Sequence, residues 1–600
     1  MEQLHHNGVL FSPRFEGRGF TVQVRGETIK LTPDQEEMAV AWAKKKGTSY
    51  VDDPMFAENF HHDFSKKLGV DIKPGDIDYS EIFFFVEEER TWKANLSREE
   101  RRQMAARRKA QRETNKASYG YVWVDGVQME VANYTVEPSS IFIGRGSHPL
   151  RGRWKEGSRE EDVELNLSPD APRPQGKWKA IIWQPDAMWI ARWRDKLTGK
   201  MKYVWISDSS ILKQKKDIEK FDRARELRLN LEKIQRHIWD NLEADDLRRR
   251  KTATVCFLID KLKIRVGDEK DPDEADTVGA STLRPEHIRF NSDGSVTLDF
   301  LGKDSVPHIF VVKHKNVVRN LKEFAANARF TLFDGVDSKK VSEFLDEAMT
   351  GLSAKVFRTC YASDAVETKL EKVPVKLEDP EYVKRYVAMI TNLEAAKVCN
   401  HRRTIPKTWK SSLEKKKVRL NTLKDRAKES QDKLKLKADE RREKYQDRLR
   451  NLEGKLKSME EKQESYQCQL ADRKRQGKPV EILKRRINLR RVAVARQKQR
   501  LKNLEVKHSE QMKKLKERQD SRRQRDKAAI EKLKLQIKAR IETRNYNLGT
   551  SLKSYIDPRI YYKWGKQVDY DWKKYYSKTL QRKFSWVETH NKSLKNKKLC

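Results

Sequence analysis

The sequence predicts a mixed α+β protein weighted towards helix, in which a long antiparallel helical hairpin separates globular stretches. Three observations carry this. Residues 1–201 alternate strand-like and helix-like text, residues 202–404 are mainly helix-periodic, and residues 413 to about 541 are almost wholly Lys, Arg, Glu, Gln and Leu. At 600 residues the chain calls for several domains, because a single hydrophobic core does not grow to that size.

Charge sets the class of partner. Lys+Arg of 130 against Asp+Glu of 90 leaves a net +40. Such an excess favours a polyanion, double-stranded DNA above all, because every neutralised phosphate releases counterions. Fourteen Trp and twenty-one Phe argue against disorder throughout. Cys256, Cys360, Cys399, Cys468 and Cys600 show no CxxC spacing and are expected to be reduced thiols, neither a disulfide framework nor a zinc site. No apolar run reaches membrane-spanning length and no signal pattern opens the chain, so a soluble intracellular protein is expected.

Taken in order, Phe20–Ile29 alternates around Arg25-Gly26 and predicts a hairpin. Ser97 and Glu100 have capping-box spacing ahead of a helix rich in Arg101, Arg102, Arg107, Arg108 and Lys109, either a solvated face or a DNA-facing flange. The loop Gly144–Pro149 could bring backbone and Arg145 close to a ligand. It lacks the strand–GxGxxG–helix setting, and no Walker sequence occurs, so no nucleotide is expected. Trp178, Trp183, Trp189 and Trp193 stand in strand-like text and are expected in a core. His61-His62-Asp63 is a possible ligand patch, with a surface loop the commoner reading.

Residues 202–404 predict a helical domain with an inserted hairpin: Phe221–Leu247 and Val255–Leu262 are helix-periodic, and Gly294 turns His287–Phe290 into Ser295–Phe300. Lys303 then falls at a strand end or turn. Within residues 405–543, Ala438, Tyr445, Leu452, Met459 and Tyr466 recur every seven positions, interleaved by Leu449, Leu456 and Leu470, with Gln463 the polar exception. Gly477 and Pro479 break this seam, and Leu483, Ile487, Val494 and Leu501 rebuild it. The central breaker favours a chain that folds back on itself over one that pairs with a second copy, so a monomer is expected. At about 1.5 Å per residue each arm runs roughly 90 Å. Residues 544–600 predict a small aromatic-rich helical domain.

Folding back returns Tyr555 towards four upstream residues: Arg265, Lys303, Arg358 and His401. A phenol can attack phosphorus and leave as a phenolate, and guanidinium, imidazole and ammonium groups suit the charge that then builds on phosphate oxygens. Taken singly, each has a plainer reading. Arg265 could end a helix on solvent, Lys303 could be a turn lysine and Arg358 a salt-bridge partner; His401 could lie on the surface and Tyr555 could fill a core.

Their flanks change the weighing. The chain resembles the eukaryotic-type DNA topoisomerase IB family over nearly its whole length. The resemblance runs through Pro138–Pro149 (PSSIFIGRGSHP), Ala275–Gly279 (ADTVG), Phe300–Ser305 (FLGKDS), Leu352–Thr359 (LSAKVFRT), Asn400-His401-Arg402, and Leu548–Ser551 (LGTS) leading to Tyr555–Arg559 (YIDPR). It implies a bilobed DNA clamp with a tyrosine-recombinase-like helical catalytic domain, a protruding linker, and relaxation of supercoils without ATP, metal or other cofactor. It further implies Tyr555 as nucleophile, Arg265, Arg358 and His401 as transition-state stabilisers, and Lys303 as general acid. Arg145, Gly146, Asp304, Thr550 and Ser554 are expected along the DNA. Two departures stand out. Ser554 precedes the nucleophile where eukaryotic members usually have Asn, which bears on camptothecin-type inhibitors but not on cleavage. The chain also starts almost at the clamp, and with Ile143–Gly152 this resembles the thaumarchaeal version of the family, implying a nucleoid location with the nucleus as alternative. A tyrosine recombinase is the rival with the same chemistry, although Lys355 stands where recombinases usually place histidine before the second arginine. A basic coiled-coil scaffold that binds DNA without chemistry is the rival from another class.

Overall fold

The computed structural model describes residues 1–144, 146, 148–267 and 277–589, with the side chain of residue 304 also left out. The chain is mixed α/β and dominated by helix, and it divides into two compact units. One unit draws on residues 1–377, 391–403 and from 546 onward; the other comprises 378–390 and 404–545.

In the first unit the early hairpin forms as expected. Strands Thr21–Val24 and Glu27–Lys30 pair antiparallel, and Arg25 and Gly26 both take positive φ (51° and 93°), the geometry of a tight hairpin turn. The Ser97 box caps the helix Arg98–Tyr119, which buries none of its residues. Trp189 and Trp193 lie buried on the strand Trp189–Arg194, whereas Trp178 and Trp183 pack only partly against the same core. The expected surface loop at residues 61–63 is instead part of the helix Pro54–Leu68. His61 is buried against Trp42 and donates from Nδ1 to the Ala57 carbonyl, and Asp63 pairs with Arg153, so both are committed to packing. The apolar Phe56, Phe60 and Phe64 carry His61 inward on their own helical face.

The part that positions the candidate site is built on a core running from Ala224 to Cys360. The periodic text from Phe221 breaks at Asn230, giving Ile211–Leu229 and Leu231–Asp240, and Leu247–Leu262 forms a mostly buried helix. The expected inserted hairpin is a three-stranded antiparallel sheet, Ile288–Phe290, Val296–Gly302 and Val306–Val312. The third strand escaped notice because Pro307 sits near its start. As an edge strand it has no ladder donor to lose there.

The second unit contains two very long helices, Trp409–Arg475 and Glu481–Glu542, packed against each other and joined by a short turn where Gly477 takes φ 65°. The heptad positions Ala438, Tyr445, Leu452, Met459 and Tyr466 are all half-buried, as a two-helix seam allows. Tyr445 stacks on His508 across it at 4.0 Å, and Gln497 donates to the Leu452 carbonyl. Four cysteines, Cys256, Cys360, Cys399 and Cys468, are free thiols among the described residues. No described helix is long and apolar enough to cross a membrane.

Candidate active site

Each of the four upstream residues reaches the site from a different local device. The helix Leu247–Leu262 ends at Lys263 in the left-handed conformation (φ 56°), which turns the chain so that Ile264 enters the core and Arg265 faces out of it. Lys303 follows the central strand Val296–Gly302 in a single turn of 3-10 helix. A side chain at Gly302 would collide with His308 on the neighbouring strand, so the strand end needs a glycine there. Arg358 lies in the second turn of the helix Ala354–Lys372, only 4% exposed. His401 follows Asn400, whose φ of 49° lifts the chain off the preceding helix. Arg265, Lys303, Arg358, His401 and Thr550 line one pocket, together with His308.

Tyr555 ends the short helix Leu548–Ser554 and is 5% exposed. The Arg358 guanidinium lies 5.0 Å from its ring centre, and the His401 ring 5.1 Å away. The phenol therefore packs on Arg358 and on the His401 imidazole, while Arg265 and Lys303 open onto the adjoining pocket. Arg358 Nη2 donates to the Cys399 carbonyl at 2.6 Å, and its buried Nε has no protein partner among the described residues. A buried guanidinium N–H without an acceptor is costly unless something else completes it. His401 is 8% exposed, and burial, then Arg358 and Arg265, push its pKa down to about 3. The same causes, burial first and then Arg358, Arg402 and Arg265, hold His308 at about 4.

The nucleophile's turn is braced from behind. Ser363, on the same helix as Arg358, donates to the Tyr555 carbonyl at 3.1 Å and accepts from the Asp557 N–H at 3.0 Å. Asp557 caps the helix Pro558–Gln567 and is held by Arg559 (2.9 Å) and by Arg225 (2.9 Å). The Tyr-Ile-Asp-Pro-Arg text is thus a tyrosine followed by its own anchor. Ser551 contacts His401 Nδ1 at 2.7 Å. Sequence reasoning passed over Ser363, Ser551 and Arg225. Ser551 lay inside a quoted tract, but nothing local marked Ser363 or Arg225.

The residues expected along DNA divide. Thr550 lines the pocket; Ser554 is half-buried and outside its lining. Gly146 (φ 60°) lies so close to the Ser305 hydroxyl, in the turn that carries Lys303, that a side chain there would collide with it. Arg145, the side chain of Asp304 and the Ala275-Asp276 part of its tract lie outside the described residues.

Comparison with known proteins adds an independent line. Three family models match successive stretches: the DNA binding fragment of eukaryotic DNA topoisomerase I over 1–206, its catalytic core over 209–434, and the C-terminal topoisomerase domain over 527–595. DNA topoisomerase 1 beta of Arabidopsis thaliana is 32% identical over 97% of this chain and 58% of its own length. DNA topoisomerase 1 of Xenopus laevis is 30% identical over 97% of the chain and 64% of its own length, and that of Homo sapiens 29% over 97% and 70%. The chain thus spans less than two thirds of the first two relatives. With consecutive models covering both sides of the hairpin and relatives aligned almost end to end with the chain, the protein belongs to the eukaryotic-type DNA topoisomerase I family.

Proposed function

We propose that the protein is a type IB DNA topoisomerase that relaxes positive and negative supercoils through a transient 3′-phosphotyrosyl link. The observation that carries this reading is the packing of the Tyr555 ring against Arg358 and His401 beside a pocket lined by Arg265 and Lys303.

On this reading the Tyr555 oxygen attacks a backbone phosphorus as its proton leaves. The P–O5′ bond breaks, and negative charge builds on the non-bridging oxygens on the way. Arg265 and Arg358 donate paired N–H groups to those oxygens, and His401 adds another. The buried, unpartnered Nε of Arg358 suits such an acceptor. A preorganised donor of this kind lowers a barrier by roughly 2.7–4 kcal/mol. Lys303 gives its proton to the departing 5′ oxygen. The phosphotyrosine conserves the bond, so the 5′ hydroxyl reseals the strand after rotation, and neither ATP nor a metal enters the cycle. Arg145, Gly146, Asp304, Thr550 and Ser554 are placed along the DNA in this reading, and the chain acts as a monomer.

The four-part division belongs to the same proposal: residues 1–201 and 202–404 as the bilobed clamp and catalytic core, 405–543 as linker, and 544–600 as the domain delivering the tyrosine. The nucleoid location expected from Ile143–Gly152 finds no support among the relatives, which are eukaryotic.

Supercoiled plasmid incubated in EDTA without ATP tests the reading. The wild type is expected to yield relaxed circles and Tyr555→Phe none. Relaxation that survives in Tyr555→Phe overturns the nucleophile. A mobility shift without any change of linking number points instead to a scaffold.

A further inference from the structure

We infer that Ser551 is a positioning residue that sets which nitrogen of His401 carries the proton, and so presents an N–H to the scissile phosphate only when that phosphate is present. The inference rests on the function proposed above.

Ser551 is fully buried, with its hydroxyl 2.7 Å from His401 Nδ1. On the other side of the ring, Nε2 lies 3.4 Å from Arg358 Nη2. A guanidinium only donates, so without DNA Nε2 must present its lone pair to Arg358. The proton then sits on Nδ1 and is donated to the Ser551 oxygen. The ring carries one proton and not two, because burial and the facing cations Arg358 and Arg265 disfavour the imidazolium.

A phosphate oxygen entering the pocket changes the demand. It accepts from Arg358 and can accept from His401 only if Nε2 bears hydrogen. The ring then loses a proton from Nδ1 to solvent and gains one at Nε2, with no net change in charge. Nδ1 becomes an acceptor and needs a donor within reach. A hydroxyl does both jobs by rotating about one bond, which a backbone N–H or a backbone carbonyl cannot do. Ser551 is also tied to the nucleophile, since its carbonyl accepts from the N–H groups of Tyr555 (2.9 Å) and Ile556 (3.1 Å). One residue thus sets both the proton on the stabilising ring and the turn that carries the attacking phenol.

Single-turnover cleavage of a short duplex tests this. Ser551→Ala is expected to slow cleavage roughly 10- to 100-fold, the range met when the partner of a metal-bound imidazole is removed. Duplex affinity and thermal midpoint should stay near wild type. In a His401→Ala background the same substitution should add nothing. An equal slowing in that background, or wild-type cleavage by Ser551→Ala, overturns the inference. Ring ¹⁵N spectra of the unsubstituted serine decide it even if Ser551→Ala folds poorly. Nδ1–H is expected in the free protein and Nε2–H in Tyr555→Phe bound to duplex, and an unchanged tautomer overturns the inference. A wild type that fails to cleave would instead sink the proposed function, a result distinct from either of these.

Discussion

Two histidines among arginines give this protein a readable acid response. His401 titrates near 3 and His308 near 4 in the folded chain, both below the ordinary value of about 6.5. Their neutral forms belong to the native state, so their contribution is fully present above about pH 6.5 and fades as pH falls through 4 and then 3. We expect the thermal midpoint of the DNA-free protein to drop over that interval, and His308→Gln to flatten the upper part of the drop. A midpoint equally steep in the variant would remove His308 from this account. Lys303 makes a separate prediction. Lys303→Ala should bind plasmid almost normally yet cleave slowly, as measured by covalent complex formed per unit time, and equal rates would remove its acid role. At this scale the sequence offered the chemistry but not its surroundings. Tyr555, Arg358 and His401 were all named as candidates, yet a surface position was the ordinary reading for His401, which is buried. The hydroxyls of Ser551 and Ser363 pair with groups 150 and 192 residues away, and such pairings leave no local pattern to find.

Elements with a period were the most legible. The seven-residue repeat, the glycine-proline breaker and the capping box each translate into one backbone geometry, and all three are found where the text put them. The strand Val306–Val312 was missed because a proline suppresses the usual signal, and the 61–63 patch was misread because the helical face formed by Phe56, Phe60 and Phe64 was not followed through it. The anchor behind the nucleophile carries its own prediction. Asp557 and Arg559 are both buried, and removing Asp557 leaves the Arg559 guanidinium with Asp222 as its remaining carboxylate. Asp557→Ala, which removes a helix cap and one of two carboxylates on Arg559, should weaken protection of the helix Pro558–Gln567 by about 1–3 kcal/mol in native-state hydrogen exchange. Protection unchanged from wild type would mean that Asp222 and Trp586 hold Arg559, and with it that helix, without Asp557.

For the whole molecule, a net +40 makes binding an electrostatic matter. Plasmid affinity should fall steeply and linearly on a logarithmic salt scale, and a flat salt profile would contradict counterion release as its source. Excising residues from about Lys416 to Ile537 and closing the gap with a short loop should preserve relaxation while altering processivity. Complete loss of relaxation by a folded variant would show that the hairpin does more than connect.

Arg402 pairs with Tyr546 in an isolated antiparallel bridge, and Asn547 donates to the His401 carbonyl at 2.7 Å. Everything from 404 to 545 belongs to the other compact unit. Joining ends so far apart costs a floppy chain about 4 kcal/mol before any contact rewards it. Zipping of the two long helices removes most of that handicap in advance. Because ribosomes deliver the amino terminus first, the basic portion is folded while the phenol is still unmade. On the proposed chemistry, a half-synthesised polypeptide can grip a chromosome but holds no blade.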